Sequence, residues 1–377
     1  MRTEICKELG IEFPIFAFSH CRDVVAAVSK AGGFGVLGAL TFSPEELEQE
    51  LAWIDEHVDG KPYGVDIVIP ASYVGRDQGD IPKEQLEKMV PQHIKDFLNN
   101  LLEKHKVPPL PEDVKLYDSM LGWTQTTGQA HLDVSLNHPI KLVVNALGPP
   151  PVEAIEKCHA AGVKVGALVG SVDQALKQKK QGVDVIIASG TEAGGHTGEI
   201  ATMVLTPQVV DAVAPTPVLT AGGIGSGRQM AAAMMLGAQG VWTGSIWLTV
   251  NEADGPEVLI NKLLAATSHD TIRSRCLTGK PARQLKTTYT MAWEAPDAPD
   301  PLPMPLQFLA VAEANNRIYK HSMTTHETAG DLAGIAVGQV VGMMNQRKPT
   351  REVIYEMVNE YIETVEARAA ELAAAIE

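Results

Sequence analysis

The sequence predicts an α/β fold, a (β/α)8 TIM barrel, on three observations. Eight short apolar runs recur within the first 245 residues, and amphipathic helical stretches fill most of the gaps between them. Most of these runs are continuously apolar rather than alternating, as strands buried on both faces must be. The length of 377 residues exceeds the roughly 250 of a minimal barrel, so extra material is expected.

The predicted strands cover residues 14–18, 34–39, 63–69, 141–147, 164–169, 183–189, 217–222 and 240–245. Ser43-Pro44-Glu45-Glu46 starts a helix, with Ser43 as N-cap, Pro44 in the first turn and Glu46 closing a capping box. Residues 227–236 read as a small-residue helix able to pack closely on a sheet. Two segments break the rhythm. Between strands three and four, Leu86, Val90, Ile94, Phe97, Leu101 and Leu102 recur at helical spacing with a break at Pro91, giving a helical insertion at about 70–139. After Ser245 the strand signal stops. Helices are expected near 256–266, 305–320, 332–344 and 351–376, the last carrying Ile354, Met357, Tyr361, Val365 and Leu372 on one stripe. A barrel over 1–255 and a C-terminal helical lid or substrate region over 256–377 follow.

The chemistry concentrates where strands end. Strand six runs into Gly190-Thr191-Glu192-Ala193-Gly194-Gly195-His196-Thr197-Gly198. Glycines let backbone approach a ligand, and an imidazole among them titrates near operating pH. This reads as a cofactor floor at Gly194 and Gly195 with His196 as catalytic base; the alternative is a Gly-rich turn with an incidental histidine. Strand seven ends in Thr220-Ala221-Gly222-Gly223-Ile224-Gly225-Ser226-Gly227-Arg228 and strand eight in Trp242-Thr243-Gly244-Ser245. Loops after the last two strands of such barrels, with a helix N-terminus, bind phosphate. The N–H groups of Gly223, Gly244 and Ser245 are the candidate donors; tight packing of small residues at two turns is the alternative.

Gly33-Phe34-Gly35-Val36-Leu37-Gly38 matches GxGxxG but follows a helix and enters a strand, the reverse of a dinucleotide-binding context. His20 faces a cofactor ring or is a rim histidine. Asp66 and Asn145, mid-strand, either contact a ligand or pair with neighbours. Cys158 reads as inert core. A net charge of −15 argues against nucleic acid or an anionic membrane as partner. Cys6, Cys21, Cys158 and Cys276 form no CxxC or Cys/His cluster, so no metal site is expected, and reduced thiols fit a cytoplasmic protein. No signal-peptide core or 18-residue apolar run is present.

The motifs TEAGGHTG, TAGGIGSGRQ and WTGS, with Glu12-Phe-Pro-Ile, Ala31-Gly-Gly-Phe-Gly and Ala333-Gly-Ile-Ala-Val-Gly-Gln, resemble the nitronate monooxygenase (2-nitropropane dioxygenase-like) family over essentially the whole chain. That resemblance implies an FMN-containing TIM barrel with His196 as base. It implies FMN held by Gly194, Gly223, Trp242, Thr243, Gly244 and Ser245, with Gly195 and Gly222 beside them. Three positions around the ring depart from the pattern. Ala17-Phe18-Ser19-His20 replaces a Gln-Ala-Pro-Met type sequence, Ser189 stands for glutamine and Asp66 for asparagine. Ala17, Phe18, Asp66 and Ser189 are therefore expected at the cofactor, and His20 and Asn145 toward the substrate. The leading expectation is oxidation of alkyl nitronates by O2 to carbonyl compounds and nitrite. The alternatives are an NAD(P)H- or CoA-thioester-linked flavin oxidoreductase, enoyl reductase-like or quinone reductase-like, and a non-catalytic flavin-binding protein. The expected partners are a small-molecule nitronate or acyl thioester with O2 or NAD(P)H; a homodimer is an open option.

Overall fold

The computed structural model describes residues 1–69, 83–110, 125–323 and 327–376. Eight parallel strands close into a barrel: β1 (Ile15–Ser19), β2 (Phe34–Gly38), β3 (Tyr63–Ile67), β4 (Leu142–Asn145), β5 (Lys164–Val169), β6 (Val185–Ser189), β8 (Val218–Ala221) and β9 (Gly240–Thr243). A two-residue strand, β7 (Gly195–His196), lies outside it, and β9 pairs back onto β1. Every predicted barrel strand is present to within two residues. Side chains alternate between two apolar compartments. Phe16, Phe34, Val36, Leu142, Val144, Val185, Ile187, Leu219 and Trp242 fill the interior. Val65, Ile67, Val143, Val165, Ile186 and Val218 join the layer beneath the surrounding helices. That double burial is why the strands read as unbroken apolar runs.

The helix Pro44–His57 begins with the expected capping box and buries Leu47, Leu51 and Ile54, one stripe at helical spacing. The insertion contains helices Lys83–Lys88 and Gln92–Lys104, with Pro91 between them as N-cap of the second. Ile94, Leu98, Leu101 and Leu102 pack against Val311, Ala314 and Ile318 of the helix Leu306–Ser322. Insertion and C-terminal extension thus share one apolar cluster. Arg317 seals it by donating to the carbonyls of Val107 and Pro108 at 2.6 and 2.9 Å. Residues 70–82 and 111–124 of the insertion lie outside the described residues.

Two expectations for the C-terminal region are corrected. Strands do not stop at Ser245: β10 (Thr271–Ser274) and β11 (Ala282–Leu285) form an antiparallel pair, and β7 adds to β11. They escape sequence reading because each has four residues and carries arginine. Residues 332–344 are not a helix. The helix Glu327–Leu332 ends there, the chain extends alongside β11 (Leu285 N–H to Ile335 O, 3.0 Å), and a 3-10 turn follows at Gln339–Met343. A Cβ at Gly338 would lie 2.6 Å from Glu192 O, so this backbone is pressed against the His196 loop too closely for a helix.

The last helix, Thr350–Ile376, buries Ile354 and Met357 against the helix Gly227–Met235. Its stripe then runs out of partners, and Leu372 is 64% exposed. All four cysteines are free and buried, and burial pushes Cys158 up to about 11, as an inert core thiol requires. Among the described residues no helix is long and apolar enough to cross a membrane, and none forms a metal-ligand cluster.

Candidate active site

The C-terminal ends of the barrel strands open into a mouth. Residues 191–198 after β6, 222–223 after β8 and 244–245 after β9 are half-buried, above strands that are closed to solvent. The adjacent ends of β8 and β9 present bare donors. The N–H groups of Gly223, Ile224, Gly244 and Ser245 donate to no acceptor among the described residues. Gly222 and Gly223 take φ of 98° and 73°, a turn that other residues enter only with strain. Behind them starts the helix Gly227–Met235, capped by Ser226 accepting from Gln229 N–H. Gln229 and Glu360 already occupy the N–H groups of Gly225 and Gly227, each at 2.8 Å. The remaining donors lie together near a helix start, an arrangement able to seat an anion.

The inner wall is aromatic and polar. Phe18 meets His20 edge-on at 5.1 Å and stacks with Trp242 at 6.3 Å. His20 donates through Nδ1 to Gly38 O at 3.0 Å. It is exposed, yet surrounding protein still lowers its pKa by desolvation, the combination expected of a group lining a cleft. Asp66 and Ser189 alternate with outward-facing Val65, Ile67 and Ala188, so both point into the barrel. Asp66 is 4% exposed and Ser189 6%, and neither side chain has a hydrogen-bond partner among the described residues. Burial raises the Asp66 carboxyl well above the usual carboxylate range, which favours its neutral form.

Other predicted residues are placed elsewhere or already committed. Ala17 is fully buried and packs outward in the cluster of Ile15, Val24 and Val28. The Asn145 amide is committed: Oδ1 accepts from Ile69 N–H, and Nδ2 donates to Ile69 O and Gly148 O. Thr243 Oγ1 donates to Phe16 O across the barrel seam and accepts from the Trp247 indole N–H. Ser245 Oγ accepts from Gly338 N–H. Gly194 is small because Val337 and Gly338 backbone lies 2.8 Å from where its Cβ would be, whereas a Cβ at Gly195 (φ 78°) would meet nothing.

His196 sits in a braced loop. The Glu192 carboxylate caps the helix Thr202–Val213, accepting from Thr202 N–H at 2.9 Å and Oγ1 at 2.8 Å. The Glu192 carbonyl accepts from Gln339 N–H. Two arginines of the β10–β11 hairpin clamp the loop ends: Arg283 Nε donates to Thr191 O at 2.8 Å, and Arg273 Nη2 to Thr197 O at 3.3 Å. The hairpin turn then encloses the imidazole. Nδ1 faces Pro281 O at 3.2 Å, and Nε2 lies 3.4 Å from Thr278 Oγ1. A carbonyl only accepts, so Nδ1 carries the proton and Nε2 the lone pair. Burial lowers the His196 pKa, with the Lys280 charge adding to it against the opposing Pro281 bond, so the ring is neutral near pH 7. Sequence reading missed Arg273, Thr278, Lys280, Pro281 and Arg283, which lie about 80 residues from the motif they serve.

This architecture agrees with what the chain resembles. The family model for nitronate monooxygenase matches residues 4–360. The chain belongs to the nitronate monooxygenase family. A Mycobacterium tuberculosis protein whose name assigns it provisionally to the monooxygenases is 51% identical over 368 residues, covering 97% of this chain and 98% of its own. A Staphylococcus aureus protein named a probable nitronate monooxygenase is 29% identical, covering 79% and 83%. Among solved structures, nitroalkane oxidase from Streptomyces ansochromogenes superposes with a TM-score of 0.77 at 25% identity, covering 96% of this chain and 99% of that one. FabK from Thermotoga maritima superposes at 0.73 with 25% identity, covering 98% and 99%. Membership makes this nitronate monooxygenase relative an oxidoreductase of a flavin-dependent family.

Proposed function

We propose that the protein is an FMN-dependent nitronate monooxygenase that oxidises alkyl nitronates with O2 to carbonyl compounds and nitrite. The observation that carries this reading is a neutral imidazole, lone pair on Nε2, beside a row of backbone N–H groups that have no acceptor among the described residues. The residues fit FMN. Gly223, Ile224, Gly244 and Ser245 supply N–H groups for its single phosphate, and Gly244 leaves the space clear, its nearest side-chain atom being Phe18 Cδ1 at 3.9 Å from a built Cβ. Phe18 and Trp242 give a flat apolar wall, and Asp66 with Ser189 gives polar groups for the edge of a ring. Bound FMN supplies the electron acceptor that the side chains lack.

The protein's own contribution is position and proton control. His196 Nε2 takes the α-proton of a nitroalkane or steers the nitronate that forms, while the Nδ1–H to Pro281 O bond fixes the tautomer. The two arginine clamps hold the ring so that no reorganisation is needed when substrate arrives. The deciding experiment is anaerobic mixing of FMN-loaded protein with propyl-2-nitronate and, separately, with NADH and NADPH. Flavin bleaching by nitronate alone, with nitrite formed on admission of air, is the expected result. Bleaching by a pyridine nucleotide alone would overturn the nitronate reading in favour of a reductase.

A further inference from the structure

Among the described residues, the half-buried lysines and arginines outside the His196 turn are paired or hydrogen-bonded. Arg22 meets Glu50, Lys157 meets Asp133, Lys348 meets Glu356, and Lys262 donates to three carbonyls. The His196 turn is different. Lys280 is half-buried, two residues from Thr278 and next to Pro281, the two residues that touch the imidazole, yet its ammonium has neither ion pair nor hydrogen bond among the described residues. Arg273 reaches only the Thr197 carbonyl, and its Nε is buried without an acceptor. Arg273 also stands directly opposite Arg283 in the β10–β11 register, a like-charge pair that destabilises the strand pairing unless an anion joins it. Arg283 is itself committed to Thr191 O and Thr271 Oγ1. In a chain with 46 acidic and 31 basic residues, no carboxylate forms an ion pair with Arg273, Lys280 or Arg283 among the described residues. Leaving such cations unpaired is unfavourable, and sites that do so are commonly built to receive a charge.

We infer that the hairpin turn is the seat for the negative charge of the substrate, with Lys280 as its principal contact and Arg273 supporting it from the neighbouring strand. The ligand class is a small planar organic monoanion, the form a nitronate takes; this assignment rests on the proposed function. The same turn then serves two purposes. Thr278 and Pro281 hold His196, and Lys280 draws the anion toward its Nε2.

The test uses FMN-loaded protein with nitrate as a planar monoanion probe, followed through the flavin absorption band, alongside steady-state kinetics on propyl-2-nitronate. Lys280→Met should weaken nitrate binding and raise KM roughly ten- to a hundredfold, the range of one charged hydrogen bond, with kcat unchanged at a pH well above the His196 titration. Lys280→Arg should recover most of the loss, and Arg273→Met should give a smaller one. Unchanged nitrate affinity in Lys280→Met would overturn the seat, as would wild-type preference for inorganic phosphate over nitrate, which points to a dinucleotide. Lys280-dependent nitrate binding without any nitronate turnover leaves the seat standing and removes the nitronate reading; turnover with an unchanged KM in Lys280→Met does the reverse.

Discussion

The barrel mouth and the hairpin sheet meet at His196 but are built by opposite rules. The β8 and β9 ends expose backbone: their donors are main-chain N–H groups of Gly223, Ile224, Gly244 and Ser245 and need no side chain. The sheet of β10, β11 and β7 uses side chains, two arginines and a threonine, to set one imidazole. A cradle made of main chain is blocked by any side chain that reaches over its N–H groups. A clamp made of side chains can be retuned one residue at a time. The two regions should therefore fail differently when altered.

The largest effect is expected in the cradle. Gly244 has a negative φ, and a Cβ there would meet only Phe18 Cδ1 at 3.9 Å, so Gly244→Val should fold while its side chain fills the space above the free N–H groups. The purified variant should lack bound flavin by absorbance and lack turnover; full flavin occupancy would break the assignment of the cradle. In the clamp, His196→Ala should keep its flavin and lose roughly 10²–10⁴-fold in turnover, the range of a general base. Arg283→Met removes two hydrogen bonds from a buried cation and should destabilise by about 2–4 kcal/mol in denaturant titration. Its activity should fall with flavin still bound, which separates clamp from cradle.

The smallest effect is the most diagnostic. With His196 as the proposed base its neutral form is the active one, so kcat/KM should hold at high pH and fall as pH drops through a pKa below the usual histidine value. Lys280 lowers that pKa, so Lys280→Met should move the acid limb upward. A limb that stays in place would separate the ammonium from the imidazole.

The barrel was legible because its requirements are local. Strands such as Val185–Ser189 must be apolar on both faces, and Gly222 and Gly223 must take positive φ. The partners of His196 were not, since β10 and β11 are short and polar and reach β7 only through the fold. Nor does a residue type reveal what consumes its bonding capacity. Asn145 and Thr243 look like ligand contacts in sequence, yet their side chains tie strand ends together, whereas Asp66 looks equally ambiguous and is left without a partner. The Ala-Gly-rich 333–338 segment read as helix because its contact with Glu192 is invisible until the loop is in place.

Glu360, on the last helix, accepts from Gly227 N–H and pairs with Arg228, closing the back of the helix start that faces the cradle. The two partners are 133 residues apart in the chain. A ribosome adding about 5–20 residues per second finishes this support roughly 7–27 s after Gly227 is made. The nascent barrel lacks that support for as long, so the cradle proposed for the flavin is fully framed only once the last helix has been made.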